Sequence, residues 1–315
     1  MKSMKSTSGR ASELSGPIRP STSSKVSFAA WLVAAMAAVG CGGDGQSIAA
    51  AAAPPVAAPE WAQVWSDEFD GAAGSRIDAT KWSYDLADGC PVGICGWGNN
   101  EKEYYTDSTD NISLNGQGQL QIVARTAAAG LNCYYGPCRY TSAKITTRGK
   151  MLASPGRVEA RIKLPAGQGL WPAFWMLGHG SPVTPWPACG EIDIMENKGS
   201  QPGITSSALH GPGYSGATPF AKPYFLPSGK FADDFHTFAV EWDSSYVQWY
   251  VDGIPHYTVS REEVRRYGSS VLNQSFFVIL NVAVGGHFDG DPQSDAIFPA
   301  TMLVDYVRAF AKKPK

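Results

Sequence analysis

Residues 189–197, CGEIDIMEN, carry three carboxylates close together: Glu191, Asp193 and Glu196. On an extended strand, side chains alternate between the two faces, so Glu191 and Asp193 share one face while Glu196 falls on the other. One extra residue near Ile194 and Met195, a β-bulge, would reverse the alternation and return Glu196 to the side of its partners. We therefore predict a bulged strand that presents all three acids on one face.

The spacing of the outer two acids suits cleavage of a glycosidic bond. With an inward lean of both side chains, the carboxyl groups of Glu191 and Glu196 could approach to roughly 5–7 Å, which includes the ~5–5.5 Å of a retaining glycosidase. Glu191 would be the nucleophile, and Glu196 the general acid and then base. Asp193 would share a proton with Glu191 and keep Glu196 protonated by repulsion. The competing interpretation is a solvated edge strand whose acids face water.

Other motifs flank this strand in a fixed order. Upstream, residues 167–177 read GQGLWPAFWML, and downstream, residues 208–213 read ALHGPG. The remaining runs are GWGNNE at 96–101, EYYT at 103–106, YTSA at 140–143, DFH at 234–236, WYVDG at 249–253, AVGG at 283–286 and LVDYVR at 303–308. With GEIDIME at 190–196, they closely resemble glycoside hydrolase family 16, specifically its bacterial laminarinases (endo-1,3-β-glucanases), over residues 61–311.

This resemblance implies an all-β, concanavalin A-like jelly-roll sandwich of two antiparallel sheets with a concave substrate cleft. It also implies cleavage of internal β-glucosidic bonds with retention. By the same resemblance, Asn99 and Arg148 match sugar contacts on the non-reducing side. His210, within ALHGPG, would contact the sugar on the leaving-group side, and its other interpretation is a structural hydrogen bonder.

Tryptophans beside the acidic strand are candidates for sugar stacking. A glucan groove needs flat aromatic faces and a few polar groups that fix the orientation of the sugar. Trp171 and Trp175 lie four positions apart, so on a strand they share a face. The resemblance implies that they shape the subsites flanking the cleaved bond, although packing in the core would also explain them. Trp186 is a further candidate of the same kind.

The hydropathy pattern supports the same architecture. Alternating runs at 64–69, 119–125, 158–164, 238–242 and 247–251 predict strands, and the almost continuously apolar run at 276–284 predicts a strand buried on both sides. One helix is predicted at 260–267, with Ser260 and Glu263 as a capping box and Gly268 as the stop. Many short strands with polar turns indicate a sandwich of two antiparallel sheets in one domain, residues 61–312.

Composition excludes some functions and suggests export. The 315-residue chain has a formal net charge of −2 and no long Lys/Arg run, so a nucleic-acid surface is not indicated. Residues 1–41 resemble a bacterial signal peptide ending in a lipobox, with a lipidated Cys41 that would attach the protein to a membrane. Ala38 departs from the usual Leu, so ordinary cleavage and free secretion remain open. Residues 42–60 are predicted to be a linker. We expect a monomer.

The cysteines predict local disulfides. Cys90 and Cys95, like Cys133 and Cys138, bracket four residues that include Pro and Gly, so two loop-closing bonds are expected after export. Zinc is the competing interpretation, but the spacing lacks a CxxC pair and a suitable histidine. Cys189 is then the odd cysteine, predicted to be a buried small hydrophobic residue.

No cofactor is needed for the predicted chemistry. Members of the family often carry a structural calcium ion away from the cleft, and by resemblance its ligands here would be Glu68, the carbonyl of Gly118 and Asp305. Such oxygen ligands would join the terminal strands. Alternatively, Glu68 and Asp305 are solvated charges.

Two functions of different class remain open at this point. The first is a retaining endo-β-1,3-glucanase acting on laminarin-type β-glucan. The second is a carbohydrate-binding sandwich without catalysis, because fold alone does not settle function. Three acids that must be partly desolvated favour the enzyme. Mixed-linkage β-1,3-1,4-glucan or a marine galactan are the alternative substrates; the WPACG and LHGP runs favour laminarin.

Overall fold

The computed structural model describes residues 61–313. The predicted signal peptide, lipidated Cys41 and linker lie outside these residues. Within the described part, no helix is long and apolar enough to cross a membrane.

Residues 61–313 form mainly short strands with one α-helix and three single-turn 3₁₀ helices. The 3₁₀ helices are Cys90–Val92, Cys95–Gly98 and Asp295–Ile297. The other elements are β1 (Trp61–Asp67), β2 (Ser83–Asp85), β3 (Glu103–Tyr105), β4 (Ile112–Leu114), β5 (Leu120–Thr126), β6 (Asn132–Cys133), β7 (Gly136–Pro137), β8 (Tyr140–Ser142), β9 (Lys144–Thr146), β10 (Arg157–Lys163), β11 (Leu170–Gly178), β12 (Glu191–Asn197), β13 (Ile204–His210), β14 (Phe220–Phe225), β15 (His236–Trp242), β16 (Tyr246–Val251), β17 (Ile254–Ser260), α1 (Arg261–Arg265), β18 (Phe276–Val284) and β19 (Ala300–Lys312).

The strands form two large sheets that pack on one core. The site sheet, defined here as the seven-stranded sheet, has the order β14-β13-β12-β11-β18-β9-β2. The second sheet has the order β17-β16-β15-β10-β19-β5-β8-β3, with β1 added on β19 and β4 on β5, and β6 and β7 form a separate hairpin. All of these pairings are antiparallel except that of β3 with β8. The predicted jelly-roll sandwich is therefore confirmed.

The core lies between the inner faces of the two sheets. All nine residues of β18 are buried, as their apolar run predicts, because this strand lies between β11 and β9 in the site sheet. The indoles of Trp82, Trp242 and Trp249 are fully or almost fully buried in the same core. Burying a large apolar side chain stabilises the fold by about 1.5–3 kcal/mol, so this interior holds the site sheet rigidly.

The predicted helix was too long. Its capping residue is correct, since Ser260 accepts a hydrogen bond from the Glu263 backbone N–H at 3.1 Å. The α-helix nevertheless ends at Arg265, and the Gly268 N–H closes the following turn on the Val264 carbonyl at 3.0 Å. The first strand also starts earlier than predicted, at Trp61, because pairing with β19 begins there.

Both predicted disulfides are present. Cys90 is bonded to Cys95, and Cys133 is bonded to Cys138. The first bond closes the loop that joins two 3₁₀ helices, and the second closes the β6–β7 hairpin. Cys189 is a free thiol that is 1% exposed, as expected for a small hydrophobic side chain.

Candidate active site

Strand β12 carries one extra residue relative to β11. Trp175 of β11 pairs with Asp193. Its neighbour Phe174 pairs with Met195, which leaves Ile194 without a partner on β11. Such a two-against-one arrangement is a β-bulge. The structure therefore confirms the bulge at the position that the sequence predicts.

The same extra residue appears against β13. Ala208 pairs with Asp193, whereas Ser206 pairs with Glu196, so Ser207 alone faces two residues of β12. Both of these bulged residues are buried, at 2% and 0% exposed, and point away from the cleft. The bulge thereby reverses the alternation and places Glu196 on the face that already carries Glu191 and Asp193.

His210 lies directly beside the first two acids. It pairs with Glu191 across β12 and β13, which puts the two side chains on the same face. His210 Nε2 is 3.1 Å from Asp193 Oδ2 and 3.7 Å from Glu191 Oε1. The half-exposed ring of Trp186 lies 5.9 Å from the His210 ring. The structure therefore gathers His210 and Trp186 at the Glu191 end of the site.

Burial raises the pKa of all three acids. It raises the pKa of Asp193 to about 8, and burial and then repulsion from Asp193 raise that of Glu196 to about 8. The pKa of Glu191 is also raised, first by burial and then by repulsion from Asp193. His210 acts in the opposite direction on the pKa of both glutamates. The site therefore retains protons at neutral pH, as a general acid requires.

The two predicted tryptophans lie on β11, next to the acids. Trp171 donates its indole N–H to Glu196 Oε1 at 3.1 Å, and its ring stacks on Phe288 with centroids 4.5 Å apart. Trp175 donates to Asn281 Oδ1 at 2.7 Å. Both indoles are only partly buried. They are thus fixed in orientation and still have surface available to a sugar ring.

The hydrogen bond from Trp171 lowers the pKa of Glu196 against the effect of burial. We expect kcat/KM of the native protein to decline above about pH 8, where Glu196 loses the proton that it must donate. In Trp171→Phe the carboxylate loses this donor, so the pKa of Glu196 rises and the decline moves to higher pH. A pH profile of kcat/KM measures the shift. An unchanged or downward-shifted profile would contradict the role of this hydrogen bond.

A buried polar row that sequence reasoning missed continues the floor of the cleft beyond the acids. Asn281 of β18 and Lys144 of β9 lie in register with Ala173 and Glu196, so all four share one face. Lys144 Nζ lies 3.9 Å from the ring centroid of Trp97. Asn281 could have been suspected, because it is the one polar residue in the apolar run 276–284. Lys144 gave no comparable signal.

The two predicted non-reducing-side residues lie apart from the acids. Asn99 donates to Glu101 Oε1 at 3.0 Å, in the segment after the second 3₁₀ helix. Arg148 is exposed just after β9, where it pairs with Asp85, and its guanidinium lies 5.6 Å from the Phe277 ring centroid. Among the described residues, neither side chain bonds to the three acids. Their predicted sugar contacts remain predictions.

Two of the three residues predicted to hold calcium are paired with arginines. Glu68 makes two hydrogen bonds, of 3.0 and 2.7 Å, to Arg308. Asp305 is paired with Arg161 at 2.7 Å. Each carboxylate is therefore already neutralised by its own guanidinium. In the described part of the chain, the residues whose side chains could together hold a metal are instead Glu191, Asp193 and His210.

The chain is similar in sequence to several known proteins. The family model for glycosyl hydrolases family 16 matches residues 98–307. Glucan endo-1,3-beta-glucosidase A1 of Niallia circulans is 37% identical over 79% of the chain, which spans 38% of that protein. Beta-glucanase of Rhodothermus marinus is 38% identical, with 80% of the chain and 86% of the relative covered.

The chain is also similar to a solved structure. The laminarinase catalytic domain of Thermotoga maritima MSB8 is 43% identical, with a TM-score of 0.76, and the match covers 81% of this chain and 100% of that one. At 43% identity, the two chains share much of their sequence as well as their fold.

Proposed function

Because the chain belongs to glycosyl hydrolases family 16, we propose that it is a retaining endo-1,3-β-glucanase that hydrolyses internal bonds of laminarin-type β-glucans. The observation that carries the proposal is the bulge in β12, which places Glu191, Asp193 and Glu196 on one face of the site sheet. Three acids brought together in a partly desolvated cleft are costly for a protein that only binds sugar.

The first step forms a covalent intermediate. The carboxylate of Glu191 attacks the anomeric carbon, and the bond between that carbon and the glycosidic oxygen breaks. Glu196 gives its proton to the departing oxygen, so the leaving sugar is released as a neutral alcohol. Glu196 is then an anion, and Glu191 is esterified by the sugar.

The second step restores the enzyme. Glu196 removes a proton from water as the water oxygen attacks the anomeric carbon and the bond to Glu191 breaks. Two inversions at one carbon give net retention. His210 Nε2 lies 3.1 Å from Asp193 and 3.7 Å from Glu191. It opposes the rise in the pKa of Glu191, which favours the carboxylate form that attacks.

The substrate is tested by a panel of polysaccharides. Purified protein should release reducing sugars from laminarin and curdlan faster than from lichenan, and should release none from agarose or carrageenan. This order is expected because similar proteins are named glucan endo-1,3-beta-glucosidase and laminarinase. Trp171 and Trp175 are held in fixed orientation beside the acids, as stacking on a sugar requires. Faster release from lichenan or from a galactan would replace laminarin as the proposed substrate. Binding without release from any of them would support the non-catalytic alternative.

We also propose export from a bacterial cell and attachment through a lipidated Cys41. Residues 1–41 support this with basic residues followed by the apolar stretch 28–40 and the AVGC run. The test is Cys41→Ser expressed in a bacterial host: the native protein should fractionate with membranes and the variant should not. If both appear in the medium, ordinary secretion is the correct alternative.

We also propose that the protein is a monomer, which size-exclusion chromatography tests.

Structural calcium stays a prediction from the family resemblance alone. The arginine partners of Glu68 and Asp305 argue against these side chains as ligands. If no calcium binds there, treatment with EDTA leaves the Tm unchanged. A fall in Tm that added Ca²⁺ reverses would support the ion.

A further inference from the structure

The bulge in β12 interrupts the regular backbone hydrogen bonds between neighbouring strands. An extra residue in a bulge is unpaired, and a buried carbonyl without a partner costs free energy comparable to a lost hydrogen bond. Here two consecutive carbonyls are bonded by side chains. Trp249 donates its indole N–H to the Asp193 carbonyl at 2.9 Å, and Ser207 donates its hydroxyl to the Ile194 carbonyl at 3.0 Å.

These two donors reach the bulge from different directions. Ser207 is the β13 residue that faces the two bulged residues of β12. Trp249 belongs to β16 of the other sheet, so its indole reaches across the core. Both are buried, at 2% and 0% exposed, and the Trp249 ring is also stacked on Tyr257 with centroids 5.1 Å apart. The bulge is therefore held both along its own sheet and from the opposite sheet.

A histidine fixes the direction of the Ser207 hydrogen bond. His256 Nε2 lies 3.2 Å from Ser207 Oγ. Because the Ser207 hydroxyl hydrogen goes to the Ile194 carbonyl, His256 must donate its Nε2–H to the hydroxyl oxygen. Burial lowers the pKa of His256 to about 4, so the ring is neutral and carries this proton near neutral pH. The two hydrogen bonds therefore run in one direction, from His256 to Ser207 and from Ser207 to the Ile194 carbonyl.

We propose that Trp249 and Ser207 are positioning residues for Glu196, because their hydrogen bonds hold the bulge that turns its carboxyl into the cleft. In a strand without the bulge, the same carboxyl would point into the core. Loosening the bulge should therefore affect the acid and base work of Glu196 more than the nucleophilic attack by Glu191, which precedes the bulge. This inference rests on the proposed function, in which Glu196 is the general acid.

The test uses variants with matched controls. Trp249→Phe removes one indole donor, and Ser207→Ala removes the hydroxyl. The chain offers a control for each: Trp242, 2% exposed, and Ser142, fully buried, have side-chain polar atoms without a hydrogen-bond partner in the described part. Trp242→Phe and Ser142→Ala therefore make the same change in side-chain size without removing a bond to the bulge.

Two substrates separate positioning from a general structural defect. Laminarin has a poor leaving group that needs a proton, whereas the 2,4-dinitrophenyl β-glycoside of laminaribiose has a leaving group that departs without one. We expect kcat/KM for laminarin to fall about 10–100-fold in Trp249→Phe and Ser207→Ala, a part of the full contribution of an acid catalyst. For the aryl glycoside, kcat/KM should fall less than about threefold, because the proton is not needed. Azide attacks the glycosyl-enzyme without the help of a base. In Trp249→Phe and Ser207→Ala it should therefore raise the kcat for the aryl glycoside.

Equal losses on both substrates, or losses matched by the control variants, would overturn the positioning role. Circular dichroism checks the fold of each variant, and if Trp249→Phe does not fold, the comparison of Ser207→Ala with Ser142→Ala decides. A native protein that cleaves neither substrate would instead refute the proposed function, so the two failures are distinguishable.

Discussion

Glu191→Ala abolishes hydrolysis of laminarin, with an expected loss in kcat of about 10⁵-fold or more, the scale seen when a nucleophile is removed. In the proposed mechanism, the Glu191 carboxylate forms the bond to the anomeric carbon, so its removal stops the first step. Release of reducing ends from laminarin measures the loss. The Tm should not fall, because burial raises the pKa of Glu191 and its charged form is disfavoured in the folded site. Glu262→Ala is the matched control, since the Glu262 side chain on α1 is 85% exposed.

Azide tests the role of Glu191 more specifically. In the space left by the side chain, azide can attack the anomeric carbon directly, while Glu196 still protonates the leaving group. One inversion then occurs, so the product should be the α-glycosyl azide. An active Glu191→Ala enzyme without azide, or a β-glycosyl azide from it, would overturn the assignment of Glu191 as nucleophile.

Glu196→Ala should lower kcat/KM for laminarin by about 10²–10⁴-fold, the usual contribution of a general acid and base. The loss should be far smaller for the 2,4-dinitrophenyl β-glycoside of laminaribiose, whose leaving group needs no proton. The decline of kcat/KM above about pH 8 should also disappear, because burial and the repulsion from Asp193 put the pKa of Glu196 there in the native site. Parallel pH profiles on both substrates give the measurement.

Here azide should give the opposite product. It attacks the glycosyl-enzyme formed by Glu191, so two inversions yield the β-glycosyl azide. Glu159→Gln on β10, which belongs to the other sheet, is the control for loss of an acid outside the cleft. If Glu196→Ala loses activity on the aryl glycoside as strongly as on laminarin, Glu196 is not the acid.

The bulge could be predicted because the proposed chemistry needs all three acids on one face, whereas strict strand alternation does not put them there. Residues 191–196 place Glu196 opposite its partners by strict alternation, and one extra residue restores it. The buried strand 276–284 and both local disulfides could also be predicted from the sequence, because they depend on composition and spacing within a few residues. What can be predicted in this way is local.

The supports of the site could not be predicted because they join distant parts of the chain. The hydrogen bond from Trp249 to the Asp193 carbonyl spans 56 positions. Lys144 on β9 is separated from the acids on β12 by two strands, β11 and β18, and no local pattern predicts that order. A family resemblance has the same limit, because it does not show the partners of a matched residue. A resemblance can match Glu68 and Asp305 to ligand positions, but it does not reveal that Arg308 and Arg161 already neutralise them.

The stereochemistry of the first product tests the central claim most directly, because it depends on the separation of the two outer acids on the bulged strand. Proton NMR of laminarin or a short β-1,3-glucan, recorded before mutarotation, follows the anomeric signal of the newly formed reducing end. A β anomer that appears first and only later equilibrates is the predicted result. An initial α anomer would mean direct displacement by water, with the carboxyl groups about 6.5–9.5 Å apart, and would contradict the mechanism.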